Sequence, residues 1–121
     1  MGAANSRTYD AQPELASKMA QQQSLIVAFM SPQCGLCASL RPALDQVASS
    51  RAPELQVAVL NAQLDKQWAP EMLAYNVETV PCFVLLNAAG NAVCKTPPPR
   101  SRQQMEAALS EMVQHATQLA R

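Results

Sequence analysis

The 121-residue sequence predicts an α/β domain, a central mixed sheet of four to five strands with helices on both faces. Three observations carry that expectation. Two short apolar runs, Leu25–Met30 and Leu55–Leu60, have the length and continuous hydrophobicity of strands buried on both faces. Segments of helical period stand between and around them, and strands that alternate with helices pair in parallel through crossover connections. Two more strand segments, Cys82–Leu86 and Ala92–Lys95, flank the hairpin turn Asn87-Ala88-Ala89-Gly90-Asn91, which makes that end of the sheet antiparallel. The length suits one domain over residues 1–121, with residues 1–11 as a flexible or edge-strand start.

Taken in order, Pro13 sits at the first position of a helix running to about Gln22, with Leu15, Ala16 and Met19 on one face. After the first strand, Cys34 to about Ser50 carries Cys37, Leu40, Leu44, Val47 and Ala48 at helical spacing. Pro42 lies inside that segment and predicts a kink, because it has no N–H for the preceding turn. Gln67–Tyr75 reads as a short helix stopped at Asn76, a residue that tolerates the left-handed conformation. Ser101 and Gln104 form a capping-box signature. Met105, Ala108, Leu109, Met112, Val113 and Ala116 follow as the apolar stripe of a long last helix.

Composition narrows the function classes. Nine basic residues balance nine acidic ones, so there is no electrostatic reason to expect a nucleic acid or an anionic membrane as partner. No apolar run approaches the roughly 20 residues that cross a bilayer, and no secretory signal is visible. The opening MGAANS matches the myristoylation pattern at Gly2. No cysteine or basic cluster nearby supplies the second anchor that stable attachment needs, so an ordinary or processed chain start is the reading preferred. Four cysteines, Cys34, Cys37, Cys82 and Cys94, are even in number, but disulfide frameworks belong to core-poor chains and 49% of these residues are hydrophobic. A reducing compartment and a purpose-built pair fit better.

That pair is Cys34 and Cys37. The first strand ends just before Ser31-Pro32-Gln33, and the helix begins at Cys34. A thiol on the first turn of a helix meets the positive end of the macrodipole and unpaired backbone N–H groups, which favour thiolate over thiol. Cys34 is therefore expected to be the nucleophile with a lowered pKa. Cys37, one turn further and on the same face, is expected to attack the mixed disulfide formed at Cys34 and release the reduced substrate.

From about Leu25 to Val113, roughly three quarters of the chain, the sequence resembles the thioredoxins. Their W-C-G-P-C motif and following helix with an internal proline are matched by Cys34-Gly35-Leu36-Cys37 and Pro42. Their Y-G-V-x-x-[IV]-P motif is matched by Tyr75-Asn76-Val77-Glu78-Thr79-Val80-Pro81, with the strand Phe83–Leu86 and Gly90 beyond it. The S-P-x-C-G-x-C run and the cysteine after the proline are closest to the thioredoxin module of plastid C-type NADPH–thioredoxin reductases. The first domain of multidomain monothiol glutaredoxins is a more distant likeness. The resemblance implies a thioredoxin fold, a cis Val80–Pro81 bond facing the redox pair, and a substrate-binding role for the Val80 backbone beside Pro81.

The chain departs from that family in four places. Gln33 replaces the tryptophan before the first cysteine, and Leu36 replaces the proline between the cysteines, which by family behaviour shifts the couple toward the oxidising side. Ala28 stands where most members bury an aspartate that relays a proton from the resolving thiol, and Val59 stands where its lysine partner would be. Thr96-Pro97 replaces a groove glycine, which is expected to narrow or reshape the groove. Cys82 should sit near the pair, either as a small buried hydrophobe, as a redox modulator, or as a ligand in a Cys34/Cys37/Cys82 metal site; no metal is expected. Cys94 is expected to pair across from Val84, too far from Cys82 for an unstrained disulfide. Trp68 reads as packing, and Arg100, Arg102 and His115 as solvated residues.

Two functions are compatible with these residues. One is a thiol–disulfide oxidoreductase acting on protein disulfides, in the chloroplast stroma or the cytosol, as a monomer. It would draw electrons from a separate reductase and hold no cofactor of its own, since no glycine-rich phosphate loop is present. The other is an adaptor that uses the fold for docking and keeps a slow or vestigial dithiol.

Overall fold

The computed structural model describes residues 23–51, 54–62, 70, 72–97 and 101–119. Its elements are β1 (Ser24–Met30), α1 (Gly35–Arg51), β2 (Leu55–Asn61), β3 (Cys82–Leu86), β4 (Ala92–Lys95) and α2 (Arg102–Leu119). The sheet runs β2-β1-β3-β4. β1 and β2 are parallel, joined through α1, while β3 is antiparallel to both β1 and β4. This is the mixed α/β sheet expected, with four strands among the described residues. The expected helix from Pro13 and the question of an edge strand at Arg7–Ala11 lie outside them.

The continuous apolar runs follow from burial on both faces. Every residue of β1 and β3 is buried. Ile26, Ala28, Met30, Val57, Val59, Phe83 and Leu85 face one way, against Cys37, Leu40, Leu44 and Ala48 of α1 and the stripe Met105, Leu109, Met112, Val113 and Ala116 of α2. Leu25, Val27, Phe29, Ala58, Leu60, Val84 and Leu86 face the other way, with Met72, Tyr75 and Val77 packed on them. Fully burying one such side chain is worth about 1.5–3 kcal/mol, so a sheet with two greasy faces strongly prefers cover on both.

The local signals hold at the element ends. The last helical turn at residues 72–74 stops as expected at Asn76, which has φ 57. Asn76 N–H donates to Leu73 O at 3.2 Å and Val77 N–H to Met72 O at 2.7 Å, the paired bonds of a Schellman stop, with Met72 and Val77 in one apolar cluster. Ser101 Oγ accepts the Gln104 N–H at 3.2 Å and so caps α2. In the hairpin, Asn87 Oδ1 accepts from Ala89 and Asn91 N–H at 3.0 Å each, and Gly90, at φ 89, supplies the left-handed residue. Helix α1 runs through Pro42, which lies on its exposed side.

One register differs from expectation. Leu85, not Val84, lies opposite Cys94, and Val84 lies opposite Lys95. The shift arises because the pairing slips between Leu85 and Leu86, where Leu86 opposes Ala92. That leaves Val93 as the extra residue of a bulge. A one-residue slip reverses which face a side chain meets.

Candidate redox site

The site begins where β1 ends. Ser31, Pro32 and Gln33 form a turn closed by the Cys34 N–H donating to Ser31 O at 3.1 Å, with Ser31 Oγ accepting the Gln33 N–H at 3.3 Å. Cys34 O then accepts the first helical bond, from Ala38 N–H at 3.1 Å. Cys34 is therefore the N-cap of α1, and its sulfur does what a Ser or Asp oxygen does at such positions. The Cys37 N–H donates to Cys34 Sγ at 3.1 Å. Such a bond is charge-assisted when the sulfur is a thiolate, and the helix N-terminus adds its partial positive charge. Cys34 is half-buried, so a substrate sulfur can reach it.

Cys37 is only 2% exposed and belongs to the core beneath α1. Burial first, and then the neighbouring Cys34 sulfur, push its thiol up from an ordinary 9.0 to about 12. Backbone groups of Ser31 and of Cys37 itself pull the other way. Ala28 and Val59, the positions expected to lack the carboxylate and its lysine partner, are register partners on β1 and β2 and are fully buried in the same core cluster as Cys37. The sheet behind the resolving thiol is apolar at both.

The Val80–Pro81 bond is cis, as the resemblance implies. Pro81 is buried, and half-buried Val80 packs against the cluster that holds Cys34, Leu36 and Cys37. Among the described residues no hydrogen bond uses the Val80 N–H or C=O. Thr96 stands at the position where the family's groove glycine would be. Its side chain is 4% exposed and turned inward, with Oγ1 accepting the Phe83 N–H at 3.1 Å while its own N–H donates to Phe83 O at 3.0 Å. The hydroxyl is spent on β3, and Pro97 is the exposed member of the two.

Cys82 does not join the pair. Its side chain packs in the cluster on the opposite face of the sheet, with Phe29 and Val77. The reason is the strand period: Phe83 faces α1 and α2, so Cys82 cannot. Burial raises its thiol, against the Thr96 hydroxyl and the Lys95 ammonium, which lower it. Cys94, turned by the bulge, packs on the α1 and α2 side, and burial raises it too. The two thiols therefore sit on opposite faces, and all four cysteines are free. Among the described residues no group of three His, Cys, Asp or Glu side chains is placed to hold a metal. Arg102 and His115 are exposed, whereas Trp68 and Arg100 lie outside the described residues.

The sequence reading missed a cavity of about 250 Å³ beside Cys37, lined by the β1–α1 turn, the first half of α1 and the end of β2, with Arg41 and Asn61 among its polar side chains. Both were within reach of pattern reasoning. Arg41 is four residues after Cys37 on one helix face, and Asn61 is the parallel partner of Met30 at the strand ends.

Comparison with known proteins fits this geometry. The chain is 27% identical over 101 residues to the thiol:disulfide interchange protein TxlA homolog of Synechocystis sp., covering 84% of this chain and 56% of that protein. It is 31% identical over 72 residues to the thiol:disulfide interchange protein TxlA of Synechococcus elongatus, covering 60% of this chain and 37% of that protein. The chain thus spans about half the length, or less, of these curated relatives. Among solved structures it superposes on germline-specific thioredoxin Deadhead of Drosophila melanogaster with a TM-score of 0.75 at 14% identity, covering 90% of this chain and 97% of that one. Fasciola hepatica thioredoxin gives 0.71 at 20% identity, covering 91% and 98%. A mutant thioredoxin from Halobacterium salinarum gives 0.68 at 18% identity, covering 93% and 95%. At these identities the structural likeness establishes the fold. Residues 7–111 match the family profile described as Thioredoxin, and with the dithiol at the head of α1 and the mixed sheet beneath it, the chain belongs to the thioredoxin family.

Proposed function

We propose that the protein is a thiol–disulfide oxidoreductase that reduces or exchanges disulfides of protein substrates through Cys34 and Cys37. The observation that carries this reading is the Cys37 N–H directed at the half-buried Cys34 sulfur, with the second thiol buried one turn behind it. The names of the TxlA relatives support the same chemistry. In the first step Cys34 thiolate attacks one substrate sulfur, forming a Cys34–substrate disulfide and expelling the other as thiolate. In the second, Cys37 thiolate attacks the Cys34 sulfur, closing the Cys34–Cys37 disulfide and releasing the second substrate thiolate, so two electrons pass to the substrate. The unused backbone groups of Val80 are positioned to pair with an extended substrate segment, as in strand addition to an edge. A separate reductase returns the electrons, and the setting is a reducing compartment.

The test is a trap. Cys37→Ser removes the resolving thiol, so the mixed disulfide should accumulate on Cys34 and be visible by mass with a model protein disulfide. Cys34→Ser should trap nothing and turn nothing over. If Cys37→Ser forms no mixed disulfide while Cys34→Ser keeps its binding partners, the chain works as an adaptor and the proposal is wrong.

A further inference from the structure

We propose that Lys95 is a positioning residue for the substrate-binding loop: its ammonium holds the Asn76 carbonyl and so sets how the Val80 backbone is presented to an extended substrate segment. The inference rests on the oxidoreductase reading, in which that loop meets the substrate, and deepens it. Residues 77–81 link the helical turn that stops at Asn76 to β3, and the cis Val80–Pro81 bond lies at their far end. Val77 N–H is bonded back to Met72 O at 2.7 Å. Beyond it, Glu78, Thr79 and Val80 use no backbone hydrogen bond among the described residues. Backbone outside any hydrogen-bonded ladder opens easily. Its path is set by where its two ends are fixed and by the packing of Val77 and Val80.

Both ends are held from the end of β4. At the far end, Thr96 takes the Phe83 N–H on its hydroxyl at 3.1 Å and gives its own N–H to Phe83 O at 3.0 Å. At the near end, Lys95 Nζ donates to Asn76 O at 2.6 Å, the two residues lying 19 positions apart in sequence. An ammonium on a carbonyl is a charge-assisted bond, and lysines satisfy the last carbonyls of helices in this way. Asn76 is the residue at which the chain turns out of its helical stop into the loop, at φ 57, so fixing its carbonyl fixes the direction in which the loop departs. The backbone of Lys95 is anchored in the sheet opposite Val84, which gives the side chain a firm base to reach from. Burial raises the Cys82 thiol most, while the Thr96 hydroxyl and the Lys95 ammonium lower it, so both side chains are felt where the loop enters β3. Two neighbouring residues thus grip the loop on either side of Val80. Lys95 is exposed, and its contribution is that of one solvent-accessible hydrogen bond. It takes no part in the exchange of electrons; its effect falls on how a peptide backbone is met.

The experiment compares two substrates of the full chain. Insulin offers a peptide backbone to Val80 and is turned over with dithiothreitol as electron donor, the uncatalysed rate being subtracted. Dithiodipyridine, a small aryl disulfide, offers none and is followed in a single turnover of the reduced protein freed of reductant. Lys95→Met keeps the stem and removes the donors. It should lose about fivefold in kcat/KM for insulin, carried by KM, and stay within about twofold of wild type on dithiodipyridine. Lys95→Arg, still a cationic donor, should return insulin turnover to within about twofold of wild type. Unchanged insulin kinetics in Lys95→Met, or an equal loss on both substrates, overturns the proposal. Amide hydrogen exchange tests the grip without turnover. The Val77 N–H, next to the held carbonyl, should exchange about fivefold faster in Lys95→Met while the amides of β1 and β3 keep their rates. Val77 exchange that does not change also overturns the proposal. The two readings fail separately: a Cys37→Ser variant that traps no mixed disulfide sinks the oxidoreductase reading, whereas a working trap with unaltered insulin kinetics sinks only this one.

Discussion

The sulfur of Cys34 has two duties, nucleophile and helix cap. It accepts the Cys37 N–H where a Ser or Asp oxygen would normally sit. The duties separate by substitution. Cys34→Ala in the reduced protein should cost about 1 kcal/mol by urea denaturation, whereas Cys34→Ser should stay within about 0.5 kcal/mol of wild type, because the hydroxyl restores the cap. Equal losses would show that the bond contributes nothing to α1. At this scale the sequence made the dithiol and its helix start legible, since spacing alone places Cys34 and Cys37 on one turn. It did not reveal that the sulfur itself is the cap, which depends on the direction of one N–H. That Ala28 and Val59 stand where an aspartate and its lysine partner would be was legible through the thioredoxin resemblance, and the β1–β2 register pairs them.

Among the elements, β4 shows best where sequence reasoning stops. Its existence and its turn followed from Asn87, Gly90 and the flanking apolar residues. Its facing did not, because the slip at Leu85/Leu86 adds a residue without changing composition. That slip sends Cys94 to the α1 side, opposite Leu85 rather than the expected Val84. The end of β4 is held by Thr96, whose hydroxyl takes the Phe83 N–H that a strand carbonyl would otherwise accept. This joint lies two residues from Pro81. Thr96→Val keeps the shape and removes the acceptor, leaving a buried N–H unpaired. The expected cost is about 1–3 kcal/mol by chemical denaturation, with Thr96→Ser close to wild type. A neutral Thr96→Val would show that the bond is dispensable.

For the whole molecule, the buried thiols tie stability to pH and to redox state. Cys37, Cys82 and Cys94 are all raised from 9.0 in the folded protein, Cys37 to about 12. Below about pH 9 both folded and unfolded chains hold these protons and the thiols contribute no slope. Above it the unfolded chain loses protons first and binds fewer than the folded one, so folding stability falls as pH rises from 9 toward 12. Closing the Cys34–Cys37 disulfide removes Cys37 from this set. The melting temperature of the reduced protein should therefore drop more steeply over that window than that of the oxidised protein. Parallel curves would mean that Cys37 is not held protonated by the fold. The α/β architecture was legible because its strands are buried on both faces and its helices carry clean stripes. The cavity beside Cys37 was not, because it is made by three separate segments meeting.

The most direct measurement is a titration of the purified protein in defined thiol–disulfide buffers, with free thiols counted by mass. The account predicts one reversible two-electron transition assigned to Cys34 and Cys37. It should lie between about −270 mV, typical of thioredoxin, and the roughly −200 to −230 mV of glutaredoxins, be unchanged in Cys82→Ser, and be absent in Cys34→Ser and Cys37→Ser. Thiols that oxidise independently, with no Cys34–Cys37 disulfide at any potential, would contradict it.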